Sequence, residues 1–173
     1  MSRIHGFPPI AGPMSRVLIL GSMPGMASLA AGEYYAHPRN VFWPVMGSVL
    51  GFDPSAPYGT RVQTLVRQGV AVWDVLKCCV RRGSLDSSIQ PASMVANNFR
   101  QFFLRCPQLR HLCFNGSTAE TLFQKLVAPK LGTLLSEVNR VRLPSTSPAH
   151  ATLSVARKSE VWRASLVPFL ALE

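Results

Sequence analysis

The chain has few acidic residues. Only eight Asp and Glu stand against 18 Lys and Arg in 173 residues, which leaves a formal net charge of +10. A charge of this sign argues against cationic ligands and favours a polyanionic partner, of which nucleic acid is the commonest. Fourteen of the 18 cations are Arg, and a GC-rich coding sequence would also raise the Arg content. The charge alone leaves both explanations open.

Long hydrophobic runs and metal-ligand spacings are also missing. No run approaches 18 apolar residues, and residues 1–13 lack the apolar segment of a signal peptide. Cys78, Cys79, Cys106 and Cys113 form no C-x-x-C pair and have no His at zinc spacing, and the four do not match an iron–sulfur pattern. We therefore expect buried reduced thiols, no metal or other cofactor, no membrane association and a cytoplasmic protein.

The chain does have enough apolar residues for one core, with 47% hydrophobic composition. We predict a single domain over residues 1–173, in which residues 1–15, with three Pro, form an extended arm. Buried strands are predicted at residues 17–20, 70–75, 109–114 and 140–143, and helices at residues 41–50, 57–68, 91–105, 117–127 and 158–170. The alternation predicts an α/β fold, a three-layer α/β/α sandwich around a mostly parallel four-stranded sheet. The polar, basic residues 77–88 are predicted to form a surface loop.

The most informative stretch is residues 17–43. The strand at residues 17–20 ends in the loop GSMPG at residues 21–25, whose two glycines permit close approach of the backbone to a ligand. The segment YYAHPRNVFW at residues 34–43 then packs aromatic rings, a His, an Arg and a carboxamide into ten residues. GSMPG, Trp73-Asp74, Asn115-Gly116 and the later segment LPSTSP at residues 143–148 all follow predicted strands. Because ligands bind at the carboxyl ends of parallel strands, these motifs should meet at one edge of the sheet.

GSMPG followed by YYAHPRNVFW closely resembles the uracil-DNA glycosylase superfamily, in particular its deoxyinosine-excising branch and the related mismatch-specific uracil and thymine glycosylases. LPSTSP resembles the second motif of the superfamily, and the resemblance spans residues 16–170. Two departures matter. Met23 stands where most members have an Asp or Asn that orients water, and a thioether is a weak acceptor. The Leu that usually enters the base stack is missing at its expected place, which leaves Pro148, Ala149 or His150 for that role.

The resemblance implies roles for residues of the first two motifs. Asn40 matches the catalytic Asn and would hold the attacking water, although it also stands where it could cap the following helix. Tyr35 matches the aromatic residue on which the extruded base stacks, with a ring of the core as the alternative. Met23 and Pro24 would contact the base, Met23 through its backbone amide.

Two further residues follow strands where the superfamily reads the base. Asp74 would accept the ring N–H of hypoxanthine or uracil and repel the bare nitrogen of adenine or cytosine, with a helix or loop cap as the alternative. Asn115 either lines the pocket or caps the next helix, and capping is the preferred interpretation. DNA phosphates would be bound by a further set, each member of which could instead lie in a plain turn or on solvated surface: Ser22, Arg39, Arg81, Arg82, Ser145, Thr146, Ser147 and His150.

Together these features predict a monofunctional DNA glycosylase that removes deaminated bases from DNA, hypoxanthine first and uracil second. We expect it to act as a monomer, in the cytoplasm and at the nucleoid, without a cofactor. Two alternatives remain open at this point. One is a mismatch-specific uracil or thymine glycosylase, and the other is a catalytically silent nucleic-acid-binding domain of the same fold.

Overall fold

A computed structural model describes residues 3–170. Its strands are β1 (Arg3–His5), β2 (Val17–Gly21), β3 (Val70–Asp74), β4 (Leu76–Val80), β5 (Val95–Ala96), β6 (His111–Asn115) and β7 (Asn139–Leu143). Its α-helices are α1 (Met26–Ala31), α2 (Phe42–Leu50), α3 (Tyr58–Arg67), α4 (Phe99–Arg105), α5 (Ser117–Leu126) and α6 (Val155–Leu166). Over these described residues, no helix has the length and apolar character needed to cross a membrane.

The central sheet contains four parallel strands in the order β3-β2-β6-β7. All five residues of β2 are buried, because neighbouring strands cover both of its edges and apolar side chains pack on both faces. Helix α3 packs beside β3, α5 packs on β2 and β6, and α6 packs on β7 and α2. The predicted α/β fold around a four-stranded parallel sheet is confirmed.

The strand register places the candidate motifs at one edge. Gly21 pairs with Asp74, and Asn115 pairs with Leu143, so these four residues end their strands at the same side of the sheet. The loops that follow them therefore start next to one another, as the sequence predicts.

A second, three-stranded antiparallel sheet was not predicted. Its order is β1-β4-β5, and it pairs Arg3 with Val80 and His5 with Cys78. The prediction of a surface loop over residues 77–88 is therefore wrong for its first part. Cys78 and Cys79 are buried and serve as small apolar residues in β4. The polar sequence hid the strand because its partner, the N-terminal arm, lies 75 residues away in the chain.

The predicted helix at residues 91–105 is also wrong in its first half. Residues 91–93 form a 3-10 turn and Val95–Ala96 forms β5, so α4 begins only at Phe99. Asn98 caps that helix by accepting a hydrogen bond from the amide of Gln101 at 3.1 Å. Asn97 turns the other way and donates to the backbone oxygen of Asp74 at 2.8 Å. Asn97, which the sequence predicts to be helical, thus stabilises the end of β3 instead.

The last helix fixes the position of the LPSTSP loop. Trp162 of α6 is fully buried, and its indole nitrogen donates to the backbone oxygen of Pro144 at 3.0 Å. The same ring meets Phe42 of α2 edge to face, with centroids 6.1 Å apart. This contact holds the start of α2, and with it the YYAHPRNVFW segment, beside the LPSTSP loop.

Candidate active site

The GSMPG loop is fastened to the chain that leaves β3. The amides of Val75 and Leu76 donate to the backbone oxygens of Gly21 and Ser22 at 2.9 and 3.0 Å. Met23 is buried and belongs to the hydrophobic core, so its thioether is a packing group. Pro24 is buried as well. A ligand contact predicted for these two residues would therefore have to use the backbone of the loop.

Gly21 provides the space in which two polar groups meet. A Cβ atom at this position would lie 2.5 Å from Oδ1 of Asp74 and 3.3 Å from the hydroxyl oxygen of Tyr35. Only glycine leaves room for both groups. Oδ2 of Asp74 and the hydroxyl oxygen of Tyr35 are buried and have no hydrogen-bond partner among residues 3–170. Buried polar atoms without partners are rare in native proteins, and at the end of a parallel strand they indicate a place that a ligand fills.

Burial changes the acidity of Asp74. Loss of solvent, and to a smaller extent the charge of Asp86, raise the pKa of this carboxyl to about 7 against the opposing effect of the Arg81 guanidinium. The carboxyl therefore changes its charge close to neutral pH. The alternative role as a cap is not observed, since no amide of the described chain donates to the Asp74 side chain.

Tyr35 packs against the core, which is the alternative role considered for it. Its ring stacks on Phe42 with centroids 3.9 Å apart and planes 18° apart, so one face belongs to the core. Its φ of 56° is the one positive value at a non-glycine position within residues 3–170. Such a backbone costs on the order of 1–3 kcal/mol and often marks a functional site. Burial and the nearby Asp74 raise the pKa of the Tyr35 phenol, so the hydroxyl stays protonated.

Asn40 supports the start of α2 through its side chain. Its Oδ1 accepts a hydrogen bond from the amide of Phe42 at 2.9 Å, and its own amide donates to the backbone oxygen of His37 at 2.8 Å. The side chain is half-buried, and the next residue, Val41, is hydrogen-bonded to Thr146 of the LPSTSP loop. An amide oxygen has two lone pairs, so support of the helix leaves one acceptor site and the NH₂ group for a water or a substrate. The structural role and the predicted catalytic role are compatible.

Asn115 and Thr146 connect β6 to the LPSTSP loop. Nδ2 of Asn115 donates to the hydroxyl of Thr146, and the amide of Thr146 donates to Oδ1 of Asn115, both at 2.9 Å. The preferred interpretation of Asn115 as a helix cap is wrong, because the N-cap of α5 is Gly116. The prediction that Thr146 contacts a phosphate is also contradicted, since its side chain is completely buried.

Residues 81–89, the rim segment, lie against the GSMPG loop. Arg81 is only 5% exposed, and its guanidinium donates to the backbone oxygens of Gly83 and Pro24. The prediction that Arg81 lies on the surface and binds a phosphate is therefore wrong. Asp86 lies 3.8 Å from Arg81 and accepts a hydrogen bond from the hydroxyl of Ser22 at 2.7 Å.

The remaining predicted DNA contacts lie at the surface of the same edge. Arg39, Arg82 and His150 are exposed, and Ser145 and Ser147 are half-buried. The hydroxyl oxygens of the two serines accept backbone amides of their own loop at 3.2 and 3.3 Å, which leaves their protons free to donate. These five residues stay available for phosphate contacts, as does Ser22, whose hydroxyl currently donates to Asp86.

Sequence reasoning missed Ser84 and Asp86. The hydroxyl of Ser84 accepts the amide of Met26 at 2.9 Å, so the rim segment holds the first residue of α1 as well as Ser22. Asp86 is one of only three Asp in the chain, and that scarcity in a basic protein was the signal available. Within residues 3–170, no group of three His, Cys, Asp or Glu side chains is arranged to hold a metal ion.

The parallel sheet with Asp74 and Asn115 at the carboxyl ends of its strands places the protein among the α/β proteins that carry polar groups at this edge of the sheet. Comparison with known proteins narrows the class. The model of the Uracil DNA glycosylase superfamily matches residues 8–169, and the chain belongs to this superfamily.

Individual relatives agree with this membership. A hypoxanthine DNA glycosylase of Methanosarcina acetivorans is 34% identical over 161 residues, which cover 92% of this chain and 96% of the relative. A hypoxanthine DNA glycosylase of Methanosarcina barkeri is 38% identical over 113 residues, 65% of this chain and 70% of the relative. A solution NMR structure from Methanosarcina acetivorans, described as a candidate uracil DNA glycosylase, superimposes with a TM-score of 0.76 at 30% identity, covering 94% of this chain and 98% of that one.

Proposed function

We propose that the protein is a monofunctional DNA glycosylase that hydrolyses the N-glycosidic bond of deaminated bases, with hypoxanthine as the preferred base and uracil as the second. The observation that carries the proposal is the buried carboxyl of Asp74 at the end of β3, one oxygen of which lacks a hydrogen-bond partner among residues 3–170. The names of the two curated relatives support hypoxanthine as the first choice.

Asp74 reads the edge of the base in this proposal. Hypoxanthine and uracil present a ring N–H beside a carbonyl, and the carboxylate accepts that N–H while backbone amides of the GSMPG loop, such as that of Met23, bind the carbonyl. Adenine and cytosine present a bare nitrogen instead. An unpaired buried polar group costs roughly 1–3 kcal/mol, which corresponds to about tenfold to hundredfold rejection. The extruded base would lie against Tyr35, the aromatic residue beside Asp74 at Gly21.

Asn40 positions the water that attacks the sugar. The water oxygen forms a bond with C1′ while the bond from C1′ to the base nitrogen breaks, the electron pair of that bond leaves with the base, and one proton of the water ends on the released base. Backbone amides near the base carbonyl stabilise the negative charge that develops there. The NH₂ group and the free lone pair of Asn40 are suited to orient the water, whereas the buried thioether of Met23 is not. No metal or other cofactor takes part in these steps.

The base would be presented by double-stranded DNA whose phosphates contact the basic edge. Arg39, Arg82 and His150 are exposed, and Ser145 and Ser147 of the LPSTSP loop offer hydroxyl protons. We expect a monomer that acts in base excision repair. A mismatch-specific uracil or thymine glycosylase is the second candidate, and the description of the superimposed NMR structure as a candidate uracil DNA glycosylase supports the release of uracil.

A panel of duplexes tests the proposal. Single-turnover excision is measured on duplexes that contain inosine, uracil, xanthine or mismatched thymine, with and without EDTA, and products are resolved before and after alkali. We expect the fastest release from inosine, no effect of EDTA, and strand cleavage only after alkali. Faster release of uracil or thymine would establish the second candidate. No release of any base, together with intact duplex binding, would indicate a binding domain without catalysis.

A further inference from the structure

Leu85 is an exposed apolar residue on a fixed backbone. Its side chain is 59% exposed, although both of its neighbours are hydrogen-bonded to the active-site loops. Ser84 accepts the amide of Met26 at 2.9 Å, and Asp86 accepts the hydroxyl of Ser22 at 2.7 Å. An exposed Leu on a free loop needs no explanation, but one held between two such contacts is directed outward by the structure around it.

The rim segment that carries Leu85 lies against the GSMPG loop and the first residue of α1. Ser84 packs on Gly25, where a Cβ atom would lie 3.6 Å from the Ser84 hydroxyl, and Arg81 holds Pro24 from below. Leu85 therefore lies beside the GSMPG loop, close to the carboxyl end of β2.

We propose that Leu85 enters the base stack beside the extruded nucleotide and fills the gap that the base leaves. The inference rests on the proposed glycosylase function. Extrusion of a base leaves an unstacked step, and proteins that open a duplex commonly insert a Leu, Phe, Ile or Met at that step. The LPSTSP loop provides only Pro148, Ala149 and His150 at the place expected for such a residue.

The surroundings of Leu85 suit insertion into DNA. Met26 is 48% exposed and its amide donates to Ser84, the neighbour of Leu85, so a second exposed apolar residue belongs to this part of the surface. Arg82 in the same segment is exposed and provides a cation for the flanking phosphates. An apolar tip with a neighbouring cation has no obvious use on a free monomer in water, but it fits a duplex that is opened at one step.

The experiment compares Leu85→Ala with a matched control, Leu104→Ala. Leu104 is 65% exposed on α4, outside the GSMPG, YYAHPRNVFW and LPSTSP segments. Single-turnover excision of hypoxanthine is measured from duplex and from single-stranded DNA. We expect Leu85→Ala to lose about tenfold or more on the duplex and less than about twofold on the single strand, because a wedge is needed only where bases are stacked. Leu85→Met should restore most of the duplex rate, and Leu104→Ala should match the parent protein on both substrates.

A fluorescence measurement reports insertion without catalysis. A 2-aminopurine placed next to an abasic site changes its emission when an apolar side chain stacks against it. We expect the parent protein and Leu104→Ala to change the emission, and Leu85→Ala to lose that change at equal occupancy of the DNA. This arm remains informative if no base is excised, so a failure of the proposed function and a failure of the wedge are distinguishable.

Three results would overturn the inference. One is an unchanged duplex rate in Leu85→Ala, and another is an equal loss on duplex and single strand, which would indicate a structural role. The third is a duplex-selective loss in Leu153→Ala instead, since Leu153 follows His150 and is also exposed.

Discussion

Asn115 and Thr146 are joined by two reciprocal hydrogen bonds of 2.9 Å, in which the side-chain amide of Asn115 donates to the Thr146 hydroxyl and accepts the Thr146 backbone amide. The backbone oxygen of Thr146 also accepts the amide of Val41 at 3.1 Å, directly after Asn40. The end of β6, the LPSTSP loop and the segment that carries Asn40 are thus one hydrogen-bonded unit. The geometry of Asn40 depends on a loop more than 100 residues further along the chain.

The first prediction tests this unit. Thr146→Val removes the hydroxyl that accepts from Asn115 and leaves the Asn115 amide without a partner, which should cost roughly 1–3 kcal/mol of unfolding free energy and reduce excision. Thr133→Val, at an exposed turn, is the control and should leave both unchanged. Asn115→Ala combined with Thr146→Val should cost less than the sum of the single changes. Strictly additive losses in denaturant unfolding would show that the pair is not coupled.

The second prediction concerns Asn40. Asn40→Ala should reduce single-turnover excision by about 100-fold or more, because the water loses its positioning group, while DNA affinity is kept. The change also removes the support of α2, at a cost of roughly 0.5–2 kcal/mol. Asn98→Ala removes the cap of α4 and serves as the control, with a similar loss of stability and normal excision. If both variants lose activity in proportion to their melting temperatures, Asn40 acts only as a helix support.

The third prediction concerns pH and Asp74. Its pKa is about 7 in the folded protein against an ordinary 3.8. Between these values the folded state keeps a proton that the unfolded state releases, so this residue lowers stability as pH rises from about 4 to about 7. Asp74→Asn removes the effect. The melting temperature of the variant relative to the parent should therefore increase from pH 5 to pH 8.

Activity should follow the same titration in the parent protein. The ionised carboxylate accepts the N–H of the base, so excision of hypoxanthine should increase as pH rises through about 7. Asp74→Asn should be slower and nearly independent of pH in this range, and Asp74→Ala slower still. Equal pH profiles of rate for parent and Asp74→Asn would remove Asp74 from base recognition.

The fourth prediction separates two adjacent arginines. Arg82→Ala should leave the melting temperature unchanged, weaken duplex binding for all sequences alike, and reduce the salt dependence of binding by about one ion. Arg81→Ala should instead destabilise the fold by roughly 1–3 kcal/mol, because the backbone oxygen of Pro24 and the carboxylate of Asp86 lose their buried partner. The duplex affinity and the melting temperature are measured for both variants. Equal changes in the two variants would contradict the buried position of Arg81.

The mistaken predictions share one cause, which is contact between distant parts of the chain. Residues 77–80 look polar, yet they pair with the N-terminal arm and bury Cys78 and Cys79. Arg81 looks like a surface cation next to Arg82, yet its guanidinium donates a hydrogen bond to the backbone oxygen of Pro24, 57 residues earlier. The sequence suggests that the Thr146 hydroxyl is free in a proline-rich turn, yet this hydroxyl accepts a hydrogen bond from Asn115. Local composition carries no information about such partners.

The sequence by itself determined the parallel sheet, the edge at which its loops meet and the superfamily. Apolar runs that alternate with amphipathic helices leave few other arrangements, and the GSMPG and HPRNVFW motifs are local. Only the tertiary structure decided which polar residues lie together at the carboxyl edge of the sheet. The register of β2 and β3 places Asp74 beside Gly21, which the hydroxyl of Tyr35 also approaches. Burial at this position raises the pKa of the Asp74 carboxyl to about 7. Burial and partners depend on the whole fold, because each is set by residues far apart in the chain.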